Sequence, residues 1–233
     1  MSSVQHITRT GQFLARVSSV ESLSPRMRRI TLASPEIATQ NWSLASDIAV
    51  VLAGEDGREV RRRYTVRSVD GDRLVLDAVL HGHGPGSSWA AMIAAGDTVS
   101  FFGPRGGIPV ADAAWLLALT DESGLPAIAA LAQALGDRQL RVLAEIQDRD
   151  EVYPLPANAS VSWLPRGDQP AGSTAVLEAA LDSVEPGPGT GYAYLLGESR
   201  AVVALRESLT RFGLSRSDVY AKGYWNLNSR PAR

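Results

Sequence analysis

The pattern of hydrophobic and polar positions changes period about halfway along the chain. In the first half, short runs of mixed apolar and polar residues are interrupted by turn formers at close intervals, the texture of half-buried strands. Gln12 to Val20 has strand character, and Ser24-Pro25 marks a turn. Arg26 to Leu32 alternates Arg26, Arg28 and Ile30 against Met27, Arg29 and Thr31. Ile48 to Ala53 is closed by Gly54-Glu55-Asp56-Gly57, and Arg61 to Arg67 leads into the turn Val69-Asp70-Gly71-Asp72. Arg73 to Leu80 and Val99 to Phe102 complete the set, which predicts an antiparallel barrel or sandwich.

From about Ala113 the runs lengthen. Trp115 to Thr120 is continuously apolar, as expected of a parallel strand covered on both faces. A helix is predicted over Ala127 to Leu135, with Pro126 suited to its first turn. Strands follow at Leu140 to Ile146 and Val161 to Leu164, then a helix over Ser173 to Leu181. Tyr192 to Glu198 reads as a strand, Arg200 to Phe212 as a helix capped by Ser199, and Asp218 to Lys222 as the last strand. Strands alternating with helices predict an α/β doubly wound parallel sheet, and the boundary places the domains at 1–112 and 113–233. Residues 1–10 read as a polar lead-in.

Two stretches carry candidate chemistry. Arg61-Arg62-Arg63-Tyr64-Thr65-Val66-Arg67 packs four arginines around one tyrosine. As a strand it puts Arg62 and Tyr64 on one face, and Arg63, Thr65 and Arg67 on the other. A flat aromatic beside a guanidinium suits a planar ligand carrying phosphates, although a solvated basic edge strand has the same composition. His81-Gly82-His83-Gly84-Pro85-Gly86-Ser87-Ser88-Trp89 is a glycine-rich loop entering a short helix, with Ser87 or Ser88 as its cap. Bare amides at a helix start can seat phosphate, while a flexible loop before a capped helix would look alike. Two histidines spaced i, i+2 without a third ligand predict no metal site. The second domain lacks Gly-x-Gly-x-x-Gly after its first strand, so its phosphate seat is expected at Gly124-Leu125-Pro126.

Bulk properties narrow the chemistry. The 233 residues carry a formal charge of −2, which argues against nucleic acid as a partner. There is no cysteine, which excludes disulfides, thiolate metal sites, iron–sulfur clusters and cysteine nucleophiles. The N-terminus has no signal pattern and no apolar run approaches the length of a membrane span, so a cytoplasmic location is expected, with no membrane partner. Trp115 and Trp163 are expected in cores, and Arg138 and Arg141 as surface charges flanking a strand.

Taken in order, several pieces resemble the siderophore-interacting proteins, FAD-dependent ferric-siderophore reductases of the ferredoxin-reductase-like superfamily. They are Ser24 to Leu32, Arg62 to Arg67, Asp77 to Gly82, Gly84 to Ala90, Gly103-Pro104-Arg105-Gly106, Asp121 to Ala127, Gly197-Glu198 and Gly223-Tyr224-Trp225. The resemblance implies an all-β antiparallel FAD barrel followed by an α/β NAD(P)H domain. It implies that Arg62, Tyr64 and Thr65 hold FAD, with Tyr64 stacked on the isoalloxazine and Arg62 near the pyrophosphate. Val66, Arg67, Val79, His81, Gly84, Pro85, Gly86, Ser87, Ser88, Trp89 and Trp225 would complete the cofactor site; the contact of Arg67 requires a bend in the strand or a wrapped cofactor. Asp121, Gly124, Pro126 and Glu198 would meet NADH or NADPH, and Arg105 and Lys222 the substrate. The implied activity passes electrons from NAD(P)H, or from a reduced ferredoxin, through FAD to a ferric siderophore. A different small electron acceptor, or a flavin- or siderophore-binding module with little turnover, remains open. No side-chain nucleophile or general base is called for, because the flavin carries the chemistry.

The chain also departs from the family pattern. Ile48 to Leu52 lacks a lysine usual there, Asn226 stands where arginine commonly follows Gly-Tyr-Trp, and Gly124 replaces a usual alanine. Fewer basic groups imply weaker capture of an anionic chelate. Arg166 or Arg200 could favour a donor carrying a 2'-phosphate.

Overall fold

The computed structural model describes residues 11–54, 56–82 and 84–227. The polar lead-in, Glu55, His83 and Asn228 lie outside the described residues. The chain divides into two compact units, one of residues 11–22 with Arg26–Gly107, the other of Leu23–Pro25 with 108–227.

The first unit is a closed six-stranded barrel with strands β1 (Gln12–Ser24), β2 (Met27–Ala33), β3 (Asp47–Ala53), β4 (Glu59–Asp70), β5 (Arg73–Val79) and β6 (Thr98–Arg105), in the order β1-β2-β5-β4-β3-β6. Helix α1 (Gly84–Met92) lies between β5 and β6 in sequence. All pairings are antiparallel, and β6 closes on β1. Alternation builds the core: Ile30 and Leu32 of β2, Ile48 and Val50 of β3, and Leu74 and Leu76 of β5 point inward with Phe101. Each such buried side chain contributes about 1.5–3 kcal/mol over exposure. Across the β2–β5 ladder, Arg29 pairs in register with the buried Asp77 through two 2.8 Å hydrogen bonds.

The second unit is a five-stranded parallel sheet, with strands β7 (Trp115–Thr120), β8 (Leu140–Ile146), β9 (Ala159–Pro165), β10 (Gly191–Glu198) and β11 (Val219–Trp225) in the order β11-β10-β7-β8-β9. Helices α2 (Leu125–Ala134), α3 (Ala175–Leu181) and α4 (Ser199–Ser208) connect them. The central β7 is almost wholly buried, which explains its unbroken apolar sequence. The chain leaves β7 toward β8 on one side and returns with β10 on the other. That switch point opens the crevice in which doubly wound sheets bind ligands, at the carboxyl ends of the strands.

Four expectations are corrected. Helix α1 starts at Gly84, so Ser87 and Ser88 lie inside it; the Ser87 hydroxyl accepts the Gly82 amide at 3.1 Å instead of capping from outside. Helix α4 is capped by the Glu198 carboxylate, which accepts the amides of Arg200 and Ala201, and not by Ser199. The helix stops at Ser208, and a tighter turn over Leu209–Phe212 ends at Gly213, whose φ of 73° is left-handed. Arg138 is no surface charge: its guanidinium donates to the carbonyls of Ala111 and Ala113, both at 2.9 Å. Among the described residues no helix is long and apolar enough to cross a membrane.

Candidate functional site

In the barrel, the candidate site is built where β4 meets α1. Up to Tyr64 the strand alternates, with Val60, Arg62 and Tyr64 half-buried and Arg61 and Arg63 exposed. The shared face of Arg62 and Tyr64 is therefore present. At Arg67 the ladder slips: Val66 pairs with Leu76 and Ser68 with Val75, so Arg67 is the extra residue of a bulge. The bulge is one place where the strand departs from ideal alternation, and Arg67 is half-buried there.

Tyr64 is the hinge of the arrangement. Its hydroxyl donates to the Gly86 carbonyl at 2.9 Å, and its ring lies 5.1 Å from that of Trp89 at 49°. Burial pushes its phenol well above the ordinary tyrosine range, with the Arg62 guanidinium opposing the shift. Gly86 is closely packed: a Cβ there would lie 3.0 Å from the Tyr64 hydroxyl oxygen and 3.1 Å from Cγ of Arg62, so one of them would have to shift. Thr65 is buried and donates to Asp47 at 3.2 Å. Val66 packs in the core, Val79 is half-buried, and His81 and Ser88 are exposed beside the half-buried Gly84 and Pro85. The guanidinium of Arg62 donates to the Arg61 carbonyl at 3.0 Å, while Arg61 itself stacks over Phe102 at 4.0 Å. Arg105 stands exposed at the end of β6. An aromatic pair, a guanidinium, a hydroxyl and a close-packed glycine turn suit a flat, phosphate-bearing cofactor.

In the sheet unit, acids gather at the carboxyl ends of the strands. The buried Asp121, directly after β7, accepts the Glu198 amide at 3.0 Å and the Trp225 indole at 2.8 Å through one oxygen. Its other oxygen takes the amide and hydroxyl of Ser123. Burial raises its pKa, and these hydrogen bonds oppose the rise. Glu198 is spent on capping α4 and on the Leu227 amide at 3.2 Å. Gly124 is enclosed, since a Cβ would lie 2.2 Å from the Thr120 hydroxyl oxygen, and Pro126 is buried in the first turn of α2. A small cavity of about 10 Å³ beside β7 and β10 is lined mainly by apolar side chains such as Leu119, Leu196 and Val202, with Asp121, Glu145 and Glu198 at its edge. Lys222 holds its ammonium 4.9 Å from the ring centre of Tyr224.

Sequence reasoning missed a buried ion cluster beside this cavity. Arg166 pairs with Glu122 at 2.7 Å and Glu145 at 3.4 Å, and donates to Gln147 at 2.9 Å. Burial pushes Glu145 up to about 7, with the Arg166 charge opposing it. Arg166 therefore serves as an internal counter-ion, whereas the side chain of Arg200 is exposed. The only signal in the sequence was the position of these residues at strand ends, which the strand order converts into proximity.

Two family models match the chain: the siderophore-interacting FAD-binding domain over residues 43–108, and the siderophore-interacting protein over residues 113–228. The chain belongs to the siderophore-interacting protein family. Ferric vibriobactin reductase ViuB of Vibrio cholerae is 30% identical over 178 residues, which cover 72% of this chain and 65% of that protein. The chain thus spans just under two thirds of the length of this curated relative. Among solved structures, a siderophore utilization protein from T. fusca superposes with a TM-score of 0.84 at 29% identity, covering 95% of both chains. The siderophore-interacting protein SipS from Aeromonas hydrophila gives 0.80 at 27% identity, covering 94% of this chain and 93% of its own. The FAD-binding model covers strands β3 to β6 of the barrel with α1, and the second model covers the parallel sheet.

Proposed function

We propose that this siderophore-interacting protein is a reductase of ferric siderophores that draws electrons from a nicotinamide donor through FAD. The observation that carries the reading is the β4–α1 junction, where Tyr64 is bonded to Gly86 and packed on Trp89 within the matched FAD-binding region. Bound FAD would supply the chemistry, taking up two electrons together and giving them up singly. The protein's residues position and shield. Tyr64 and Trp89 offer apolar ring surface for the isoalloxazine, Arg62 offers charge to the pyrophosphate, and Thr65 is oriented by its bond to Asp47. Arg67, brought round by the bulge, and the Gly84–Ser87 turn complete the cradle.

Domain roles follow: residues 1–112 hold FAD and residues 113–233 receive NADH or NADPH. Asp121 lies at the switch point, the natural position for a dinucleotide, and the buried Gly124 and Pro126 set the start of α2 behind it. Asp121 and Glu198 act by holding backbone and Trp225 in place, not by transferring protons. Arg105 and Lys222 supply the positive charge that draws an anionic ferric chelate. A reduced ferredoxin is the alternative donor.

A second reading, reduction of a different small acceptor, is favoured by one observation: Ala49 and Val51, between the inward positions of β3, carry no charge where a lysine is usual. Full-length protein reconstituted with FAD separates the two. Rapid bleaching by NADH or NADPH followed by reoxidation with a ferric siderophore supports the first; bleaching without response to any ferric chelate supports the second.

A further inference from the structure

Arg28 reaches from β2 to the last turn of α1. Its Nη1 donates to the Ala90 carbonyl at 2.7 Å and to the Ala91 carbonyl at 2.5 Å. The final carbonyls of a helix have no intrahelical partner, and a cation there also meets the negative end of the helix dipole. Helix α1 depends on such support. Its sequence, Gly-Pro-Gly-Ser-Ser-Trp-Ala-Ala-Met, opens on poor helix formers, and its last turn contains no basic residue of its own.

The same helix carries half of the flavin site. Its first turn accepts the Tyr64 hydroxyl at Gly86, and Trp89, adjacent in sequence to the Ala90 carbonyl that Arg28 holds, lies against the Tyr64 ring. Tyr64 fixes one end of α1 and Arg28 the other, with Trp89 between them. The neighbouring Arg29 has a different task, since its two bonds go to Asp77 in the barrel wall.

We infer that Arg28 is a positioning residue for the flavin site: by clamping the last turn of α1 it holds Trp89 in register with Tyr64. The inference rests on the FAD reading of the barrel. A guanidinium bonded to two carbonyls is worth more than a neutral donor, so its loss should reach flavin affinity and the chiral environment of the ring.

The test titrates FAD into full-length wild type, Arg28→Met, Arg28→Gln and Arg28→Lys, each well below its unfolding temperature, and records dissociation constant and visible circular dichroism. Arg28→Met and Arg28→Gln are expected to weaken binding about tenfold and to change the flavin dichroism, while Arg28→Lys stays within about threefold of wild type. If Arg28→Met does not fold, the comparison of Arg28→Gln with Arg28→Lys carries the same distinction. Wild-type affinity and dichroism in the neutral variants, with only a lower unfolding temperature, would overturn the inference and leave the FAD reading standing. So would a lysine variant as impaired as the neutral ones. Wild type that binds no FAD would remove the reading beneath it.

Discussion

The Tyr64 hydroxyl donates to the Gly86 carbonyl at 2.9 Å, tying the arginine-rich strand to the helix that follows β5. Removing that hydroxyl in Tyr64→Phe leaves the carbonyl without this partner, a loss of about 1–2 kcal/mol. Urea unfolding should show that destabilisation, and FAD titration a dissociation constant several-fold higher. In Gly86→Ala the new methyl would press on Tyr64 and Arg62 together. A folded Gly86→Ala protein with weaker FAD binding than Tyr64→Phe is the expected order. The raised pKa of Tyr64 keeps its proton in place through the alkaline range, so this contact should not titrate below the pH at which the protein unfolds.

Asp121 binds two parts of the sheet unit through one oxygen, the Glu198 amide and the Trp225 indole. Both oxygens of Asp121 accept, whereas asparagine has one carbonyl oxygen and an NH2 group, so Asp121→Asn must turn that NH2 toward donors on one side. The expected cost is about 1–3 kcal/mol of stability, read by urea unfolding, together with a shift in tryptophan fluorescence. Unchanged fluorescence and stability would contradict the arrangement.

The fold was legible where a single strand or helix carries its own signal. The β8 bounds read directly from Leu140 to Ile146, and the change to long apolar runs near Ala113 announced the parallel sheet. Arg62 and Tyr64 share a face because strand alternation requires it. What escaped was three-dimensional. The bulge at Arg67 carries no glycine or proline to mark it, and Thr65 finds Asp47 only once β3 and β4 pair. Ser199 fits a helix start by residue type, and only the structure shows that the Glu198 carboxylate caps instead. Glu122, Glu145 and Arg166 become neighbours through the order β7-β8-β9, which no local pattern encodes.

Glu145 gives that cluster a pH signature. Its folded pKa is raised from 4.5 to about 7, chiefly by burial, so between those values the folded protein holds a proton that the unfolded chain has released. This contribution to stability is full below pH 4.5 and is lost as pH rises through 7. Glu145→Gln removes the titration while Glu122 and Gln147 still hold Arg166. Compared with wild type, its unfolding temperature should therefore gain on going from pH 5.5 to pH 8. A difference that stays constant across that range would contradict the assignment.

Arg105 stands exposed at the end of β6 and is assigned to attracting the chelate. Arg105→Gln should lower kcat/KM for an anionic ferric siderophore about fivefold at low salt, as expected for one exposed charge pair. The deficit should shrink as ionic strength rises. The rate of flavin reduction by nicotinamide, followed by stopped-flow absorbance, should not change.

Electron delivery from flavin to chelated iron is read directly by one anaerobic single-turnover measurement. FAD-loaded protein is reduced with one equivalent of nicotinamide donor and mixed with excess ferric siderophore and a ferrous trap. Flavin absorbance should return as the ferrous complex forms, with about two ferrous ions per flavin, since the cofactor stores two electrons and iron takes one. Flavin that stays reduced while no ferrous complex appears, with every ferric siderophore offered, would show that this protein does not reduce ferric siderophores.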